Sequence, residues 1–342
     1  MGFYTFQETG VSMRPILVLP ALFFLSLPQA GPPRPALRPA PRRVLRAPWG
    51  EAPGSFAREE TGARLGPSAL AVAKGLVYIL DRVHGRVQVF DLSGRLRRVL
   101  EVGSRTVDLL AVDGKGRALV LDAFVKKEVR VLEEGKAPAV LPLPAPPRKG
   151  LLPSGIFAGK NAVLLEWGHA LVSTLPFPGV EPLLPCPITP PPGGCLPGRP
   201  AVFGWVQAAR SRDGVALLFG RKETKLPVER NYPVRGGVEC ILDLETDRAG
   251  RTAVALFPWD DPSRRILVLL VSASGKILAK RRIAGGSTTD LMSRFSLSPE
   301  GLLYQLRTGP EGVEVLEWDW RNWGVDEDDE APEAGAGKEV GR

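Results

Sequence analysis

The chain has 342 residues, 44% of them hydrophobic and 24% charged, a globular balance that allows one large domain or two ordinary ones. Its 38 Gly and 34 Pro imply many turns, and helix-building Ala/Glu/Lys/Leu blocks are hard to find. Only two His are present, which excludes a centre built from three or more, and the net charge of +8 is concentrated rather than spread.

Arg14 precedes a twelve-residue, largely apolar run, Ile16 to Leu27, which suits a signal-peptide core and is too short to span a bilayer. Met13 is the natural initiator, and the mature chain would begin after Ala30, although Pro28 is a poor cleavage-site residue. The alternative is an uncleaved, loosely membrane-associated N-terminus. Export to the periplasm or beyond is the expectation, with residues 1–30 as signal peptide and no transmembrane span in the mature chain. A Pro/Arg-rich linker follows over 31–54, with Arg34, Arg38, Arg42, Arg43 and Arg46 forming a basic, solvated arm.

From Ser55 onward the chain repeats. Pro67–Val72, Gly75–Asp81 and Gly85–Asp91 read as strand, turn, strand, turn, strand, closed by a turn at Ser93-Gly94. The layout returns in Leu109–Asp113, Ala118–Asp122 and Glu128–Leu132, so that Asp81 and Asp122 stand 41 residues apart. A third copy holds Gly155–Ala158, Ala162–Glu166 and Ala170–Leu175, with Glu166 44 residues after Asp122. A fourth is read as Val206–Ala209, Gly214–Phe219 and Val238–Asp243, a fifth as Thr252–Phe257 and Ile266–Val271, and a sixth as Phe295–Ser298, Gly301–Leu306 and Val313–Trp318. About six units of roughly 44 residues over 55–323 predict an all-β propeller of three- to four-stranded antiparallel blades. A β-sandwich, or a pair of small β domains, would space strands regularly without this internal echo.

The first unit resembles an NHL repeat. Tyr78 and Asp81 in the second strand, the Arg86-Val87 pair, Val89-Phe90 and Gly94 match that family's pattern, while His84 stands where the family usually has Asn. The resemblance is close over about 40 residues and loose over some 260. It implies a propeller and carries no function. Propeller enzymes resembling this class generally hold a metal at the axis with His, Glu, Asp or Asn.

Cys186 and Cys195 enclose a turn-rich loop and are expected to pair in an oxidising compartment, while Cys240, in the apolar run Val238–Leu244, reads as a buried thiol. Asp81, Asp122 and Glu166 recur just past the second strand of three successive units. A ring of such carboxylates on one rim would bind a cation or a basic partner, but a short acid at this place caps a turn by accepting backbone N–H bonds. The turn role is the expectation. His84 and His169 both fall at turns, with His84 expected on the surface. The chain contains no nucleophile elbow, phosphate loop or dinucleotide fingerprint. Ala284–Asp290 reads as a flexible polar loop with a ligand cradle as its sharper alternative, and Trp318, Trp320 and Trp323 as a final strand closing the ring near Phe56.

These residues together predict an exported, non-catalytic scaffold that binds a protein, a glycan or another anionic polymer, as a monomer. No cofactor is expected. The rival is a metal-dependent hydrolase or lyase with an oxygen-ligated cation, calcium fitting best, which would need three or more carboxylates or Asn side chains converging at the axis. Arg95, Arg97, Arg98, Lys126, Lys127, Arg281 and Arg282 could serve a nucleic acid, but the export signal argues against that partner. The tail, 324–342, carries seven acids from Asp326 onward, is −5 net over 326–342, and reads as disordered.

Overall fold

The computed structural model describes residues 40–323 except 61, 160–161, 169–170, 178–194, 202–203, 222–227, 248, 260 and 299. The signal peptide, Arg34, Arg38, His169, Cys186 and the acidic tail lie outside the described residues. Described Cys240 is a free thiol, partly exposed, and burial raises its pKa.

Strand β1 (Arg42–Pro48) comes first, followed by a two-residue-per-arm hairpin, β2 (Glu59–Glu60) and β3 (Arg64–Leu65). The first blade is β4 (Pro67–Ala73), β5 (Leu76–Asp81), β6 (Arg86–Asp91) and β7 (Leu96–Glu101). The second is β8 (Leu109–Val112), β9 (Ala118–Asp122), β10 (Glu128–Leu132) and β11 (Ala139–Pro142). The third has three described strands, β12 (Pro153–Ala158), β13 (Ala162–Trp167) and β14 (Leu171–Pro176). The fourth is β15 (Cys195–Ala201), β16 (Gly204–Ser211), β17 (Gly214–Arg221) and β18 (Val228–Pro233). The fifth is β19 (Val238–Thr246), β20 (Thr252–Pro258), β21 (Ile266–Val271) and β22 (Ile277–Ile283). In the sixth, β23 (Phe295–Leu297), β24 (Leu303–Gly309) and β25 (Gly312–Trp318) are completed by β1. The innermost strands β4, β8, β12, β15, β19 and β23 pack one on the next, and β23 returns to β4. The fold is a closed six-bladed β-propeller.

Sequence explains the layering. Middle strands are covered on both faces by neighbouring blades, so β21 (ILVLLV) is apolar throughout and entirely buried. Outer strands such as β7 (LRRVLE) have one wet face and mix charge with apolar residues. The core lies between blades rather than within them: each of five apolar clusters draws on two adjacent blades. The β4–β5 reversal is a two-residue turn with positive φ at both Lys74 (52°) and Gly75 (70°), the twist that matches paired strands.

The linker and the fourth unit are corrected. The linker 31–54 gives way from Arg42 onward, because β1 pairs along β25 from Arg42↔Glu317 to Pro48↔Gly312. Arg42, Arg43 and Arg46 face Glu317, Glu314 and Glu311, so the basic arm meets an acid ladder some 270 residues away. Those exposed pairs contribute at most about 1 kcal/mol each. Burial of Val44, Leu45 and Ala47 is the larger contribution, about 1.5–3 kcal/mol for a side chain of Val or Leu size. The fourth unit is also reframed: Val206–Ala209 and Gly214–Phe219 lie in the second and third strands of their blade, while Val238 opens the next.

The terminal tryptophans do not reach Phe56. Trp318 meets Trp323 edge to face at 5.9 Å, and Arg281 of β22 lies over both rings. Phe56 instead packs on Phe90 of the first blade, at 6.1 Å. β25 runs away from the rim where Phe56 sits, which separates the two groups.

Candidate functional site

Alternation of strands sends the connections to two rims. Turns after first and third strands form one rim, here called the lower. Turns after second strands and the crossings between blades form the upper rim.

Three lower-rim turns satisfy themselves. Asp113 accepts from the backbone N–H groups of Lys115 and Arg117, each at 2.9 Å, and from Arg117 Nε at 2.7 Å. Asp91 does the same with Ser93 and Arg95, and Asp247 with Ala249 and Arg251. In this Asp-x-x-Gly-Arg turn the carboxylate caps the reversal and the Gly supplies positive φ, 88° at Gly116. Burial opposes ionisation of Asp113, but the hydrogen bonds from Arg117 and Lys115 outweigh it and hold the carboxyl below its ordinary range.

Asp81, Asp122 and Glu166 all sit at upper-rim ends of second strands and all are buried. Each is turned into its own blade. Asp122 caps its turn through Val125 N and Lys126 N, both at 3.0 Å, and takes the hydroxyls of Thr106 and Ser104. Burial works against its ionisation, yet these bonds lower its pKa. Glu166 accepts from Ser154 Oγ at 2.9 Å. Asp81 differs: its Oδ2 takes His84 Nδ1 at 2.7 Å, Arg86 Nε at 2.9 Å and Gln88 Nε2 at 3.2 Å, and its Oδ1 has no partner among the described residues.

His84 is not on the surface. Its side chain is 12% exposed, held between Asp81 and Glu51 Oε2, the latter at 2.7 Å. Arg86 donates to the carbonyls of Glu51, Ala52 and Ser55, and Gln88 bonds Ser55 O and Gly54 N. The Asp81 network therefore latches the loop after β1 onto the first blade, securing ring closure. Sequence reasoning missed Glu51 because it lies in the segment read as linker.

A channel of about 580 Å³ follows the axis. Its wall is mainly aliphatic, with Leu70, Ala71, Ala73, Leu109, Ala111 and Leu242 among the lining residues. Asp108, at the upper mouth, pairs with Arg82 at 3.0 Å, and burial raises its carboxyl above the usual range despite that cation. Asp243 is spent on the next blade, accepting Arg294 N and Phe295 N at 3.1 Å. Among the described residues no three His, Cys, Asp or Glu side chains converge to hold a cation. Glu245 also lines the channel, so three carboxylates border it without forming a cluster among the described residues.

The upper rim carries exposed apolar groups. Of the six large apolar side chains most exposed among the described residues, Phe124, Val125, Leu152, Trp259 and Met292 are on its loops, and only Val140 is not. Phe124 and Met292 flank the channel mouth. The loops 123–127 and 143–152 contain Lys126, Lys127, Arg148 and Lys149 and no acid. None of these four cations makes an ion pair among the described residues, which leaves a basic and apolar sector over blades two and three.

No protein-family model matches the chain, and no curated protein does. Among solved structures, a streptogramin B lyase is 12% identical, with a TM-score of 0.47 over 73% of this chain and 92% of its own. Virginiamycin B lyase from Staphylococcus aureus is 8% identical, TM-score 0.48, over 74% of this chain and 95% of its own. A gluconolactonase from Xanthomonas campestris is 15% identical, TM-score 0.46, over 82% of this chain and 99% of its own. Likeness at this level carries no activity to this chain. No described helix is long and apolar enough to cross a membrane.

Proposed function

We propose that the protein is an exported, non-catalytic propeller that docks a partner protein on its upper rim, over blades two and three and the channel mouth. The observation that carries this is the gathering of Phe124, Val125, Leu152 and Met292 beside cations without ion-pair partners, while the Asp-x-x-Gly-Arg turns of the lower rim pair their own Asp and Arg. Exposed apolar groups gathered on one face mark an interaction surface, and the basic sector selects a partner with an acidic surface. The aliphatic channel behind the mouth can receive an apolar side chain from that partner.

The experiment is co-purification from the exported fraction with wild type and with a Phe124→Ser/Val125→Ser double variant. Wild type is expected to retain a fixed partner that the variant loses at unchanged melting temperature. An identical set of bound proteins in both would contradict the assignment. So would lactone or lyase turnover that depends on an added metal.

A further inference from the structure

Across the ring from that sector, the connection from β22 to β23 forms a groove against the β20–β21 turn and the β2–β3 hairpin. The loop read as flexible is pinned: Thr308 Oγ1 accepts Thr288 N at 3.1 Å and Thr289 N at 3.0 Å, and touches the hydroxyls of Ser287 and Thr289. Gly285 has a packing reason, since a Cβ there would lie 2.7 Å from Arg264 O and 2.8 Å from Ile266 Cγ1. Gly286 has none. A Cβ at Gly286 would meet nothing within 4 Å, and its φ is not among the positive ones, so what its missing side chain provides is open space.

That space is a cavity of about 390 Å³ lined by Arg64, Arg264, Arg294, Ser263, Ser287 and the acid Asp290. A second cavity of about 490 Å³ shares Arg64 and Ser287 and continues past Thr288 to Glu60. Thr288 Oγ1 is buried there without a partner. One counter-charge, Asp290, lies within the lining. Arg64 pairs with Asp290 at 3.1 Å on the exposed edge, and Arg264 reaches Glu239 only at 3.5 Å while lying over Phe257. Arg294 donates to Gly285 O at 3.2 Å; burial lowers its pKa, opposed by Asp243. Three planar guanidiniums around one hole suit the oxygens of a carboxylate, sulfate or phosphate. Phe257 is covered by Arg264, so the lining offers hydroxyls and backbone rather than a face for stacking a base.

We propose that this groove binds an acidic sugar chain, one oxyanion seated among Arg64, Arg264 and Arg294 and the neighbouring sugar running toward Thr288. The groove shares the β22–β23 connection with Met292 of the docking surface but none of that surface's cations, so separate variants test the two.

The test is calorimetric titration with potassium phosphate, potassium sulfate and a hexamer of galacturonic acid. The hexamer is expected to bind about tenfold more tightly than either free ion. Gly286→Leu, which fills the hole, and Arg264→Gln should each weaken it by about tenfold, while Lys126→Gln/Lys127→Gln across the ring leaves it unchanged. The melting curve of Gly286→Leu should overlay wild type, since a Cβ at Gly286 would meet nothing within 4 Å. Equal binding of hexamer and free ions would overturn the sugar chain and support an oxyanion site alone. No binding of any probe, or binding lost only with the Lys126/Lys127 variant, would overturn the site altogether.

Discussion

The two rims of the propeller are built from the same blades and differ in what they do with charge. On the lower rim Asp113, Asp91 and Asp247 each cap a turn and bind the Arg four residues on, so chemistry closes within five residues. On the upper rim Asp81 holds His84 and Arg86, which reach the loop at Glu51, Asp108 answers Arg82 at the mouth, and Phe124 and Trp259 stand 56% and 64% exposed. A capped turn is not by itself a binding surface. Loops that leave apolar side chains exposed and cations without ion-pair partners, even where an Asp caps the turn as Asp122 does, are the ones available to a ligand. Asp261–Arg265 is a lower-rim-like turn on the upper rim, and Arg282 also holds it.

The contrast gives a ranked set of outcomes. Asp81→Ala should have the largest effect on stability, a loss of about 3–5 kcal/mol, because it strands the buried Arg86 and frees the loop over the first blade. Urea unfolding measures it, and a loss below about 1 kcal/mol would show that the latch is not holding the ring. Asp113→Ala on the lower rim should lose about 1–3 kcal/mol through two uncapped N–H groups and an unpaired Arg117, with partner binding untouched.

Acid should act in a defined direction. Asp113 and Glu317 are held below the ordinary carboxyl range, and Asp261 lies at about 2, where its hydrogen bonds and Arg282 outweigh burial. A carboxyl depressed on folding stabilises the fold above its unfolded value of about 4 and loses that contribution as pH falls toward its folded value. Melting temperature should therefore drop between about pH 4 and pH 2. Asp108, raised by burial, contributes with the opposite sign and softens the onset. A flat melting profile across that window would contradict the ion-pair assignments. The smallest change in stability belongs to Phe124→Ser/Val125→Ser, within about 0.5 kcal/mol, although it should abolish docking.

How much was legible follows from where each signal lay. The first blade could be read because Pro67, Tyr78, Asp81 and Gly94 fall within one local stretch, and the same register located Asp122 and Glu166. The fourth blade could not. β15 (CLPGRPA) and β18 (VERNYP) are outer or Pro-rich strands without apolar alternation, so the copy was framed on β16, β17 and the next blade's β19. β1 was hidden for another reason: Arg42, Arg43 and Arg46 look solvated until Glu317, Glu314 and Glu311 arrive from the far end of the chain. Gly285 and Gly286 mark the loop in the sequence, but Arg64 and Arg264, which make it a cavity, come from distant turns. Exposure of Phe124 and Met292 has no sequence signature, since an apolar residue in a loop reads the same whether covered or bare.

The claim that the upper rim is the working face is tested most directly by photocrosslinking in living cells. A crosslinking residue would be placed at Phe124, Leu152, Met292 and Trp259 above, and at Lys74, Ser93, Lys115, Lys136 and Ser274 below. Discrete adducts from the upper positions nearest the channel, with none from below, are the expected result. Adducts of equal yield from both rims, or from the lower rim alone, would contradict it.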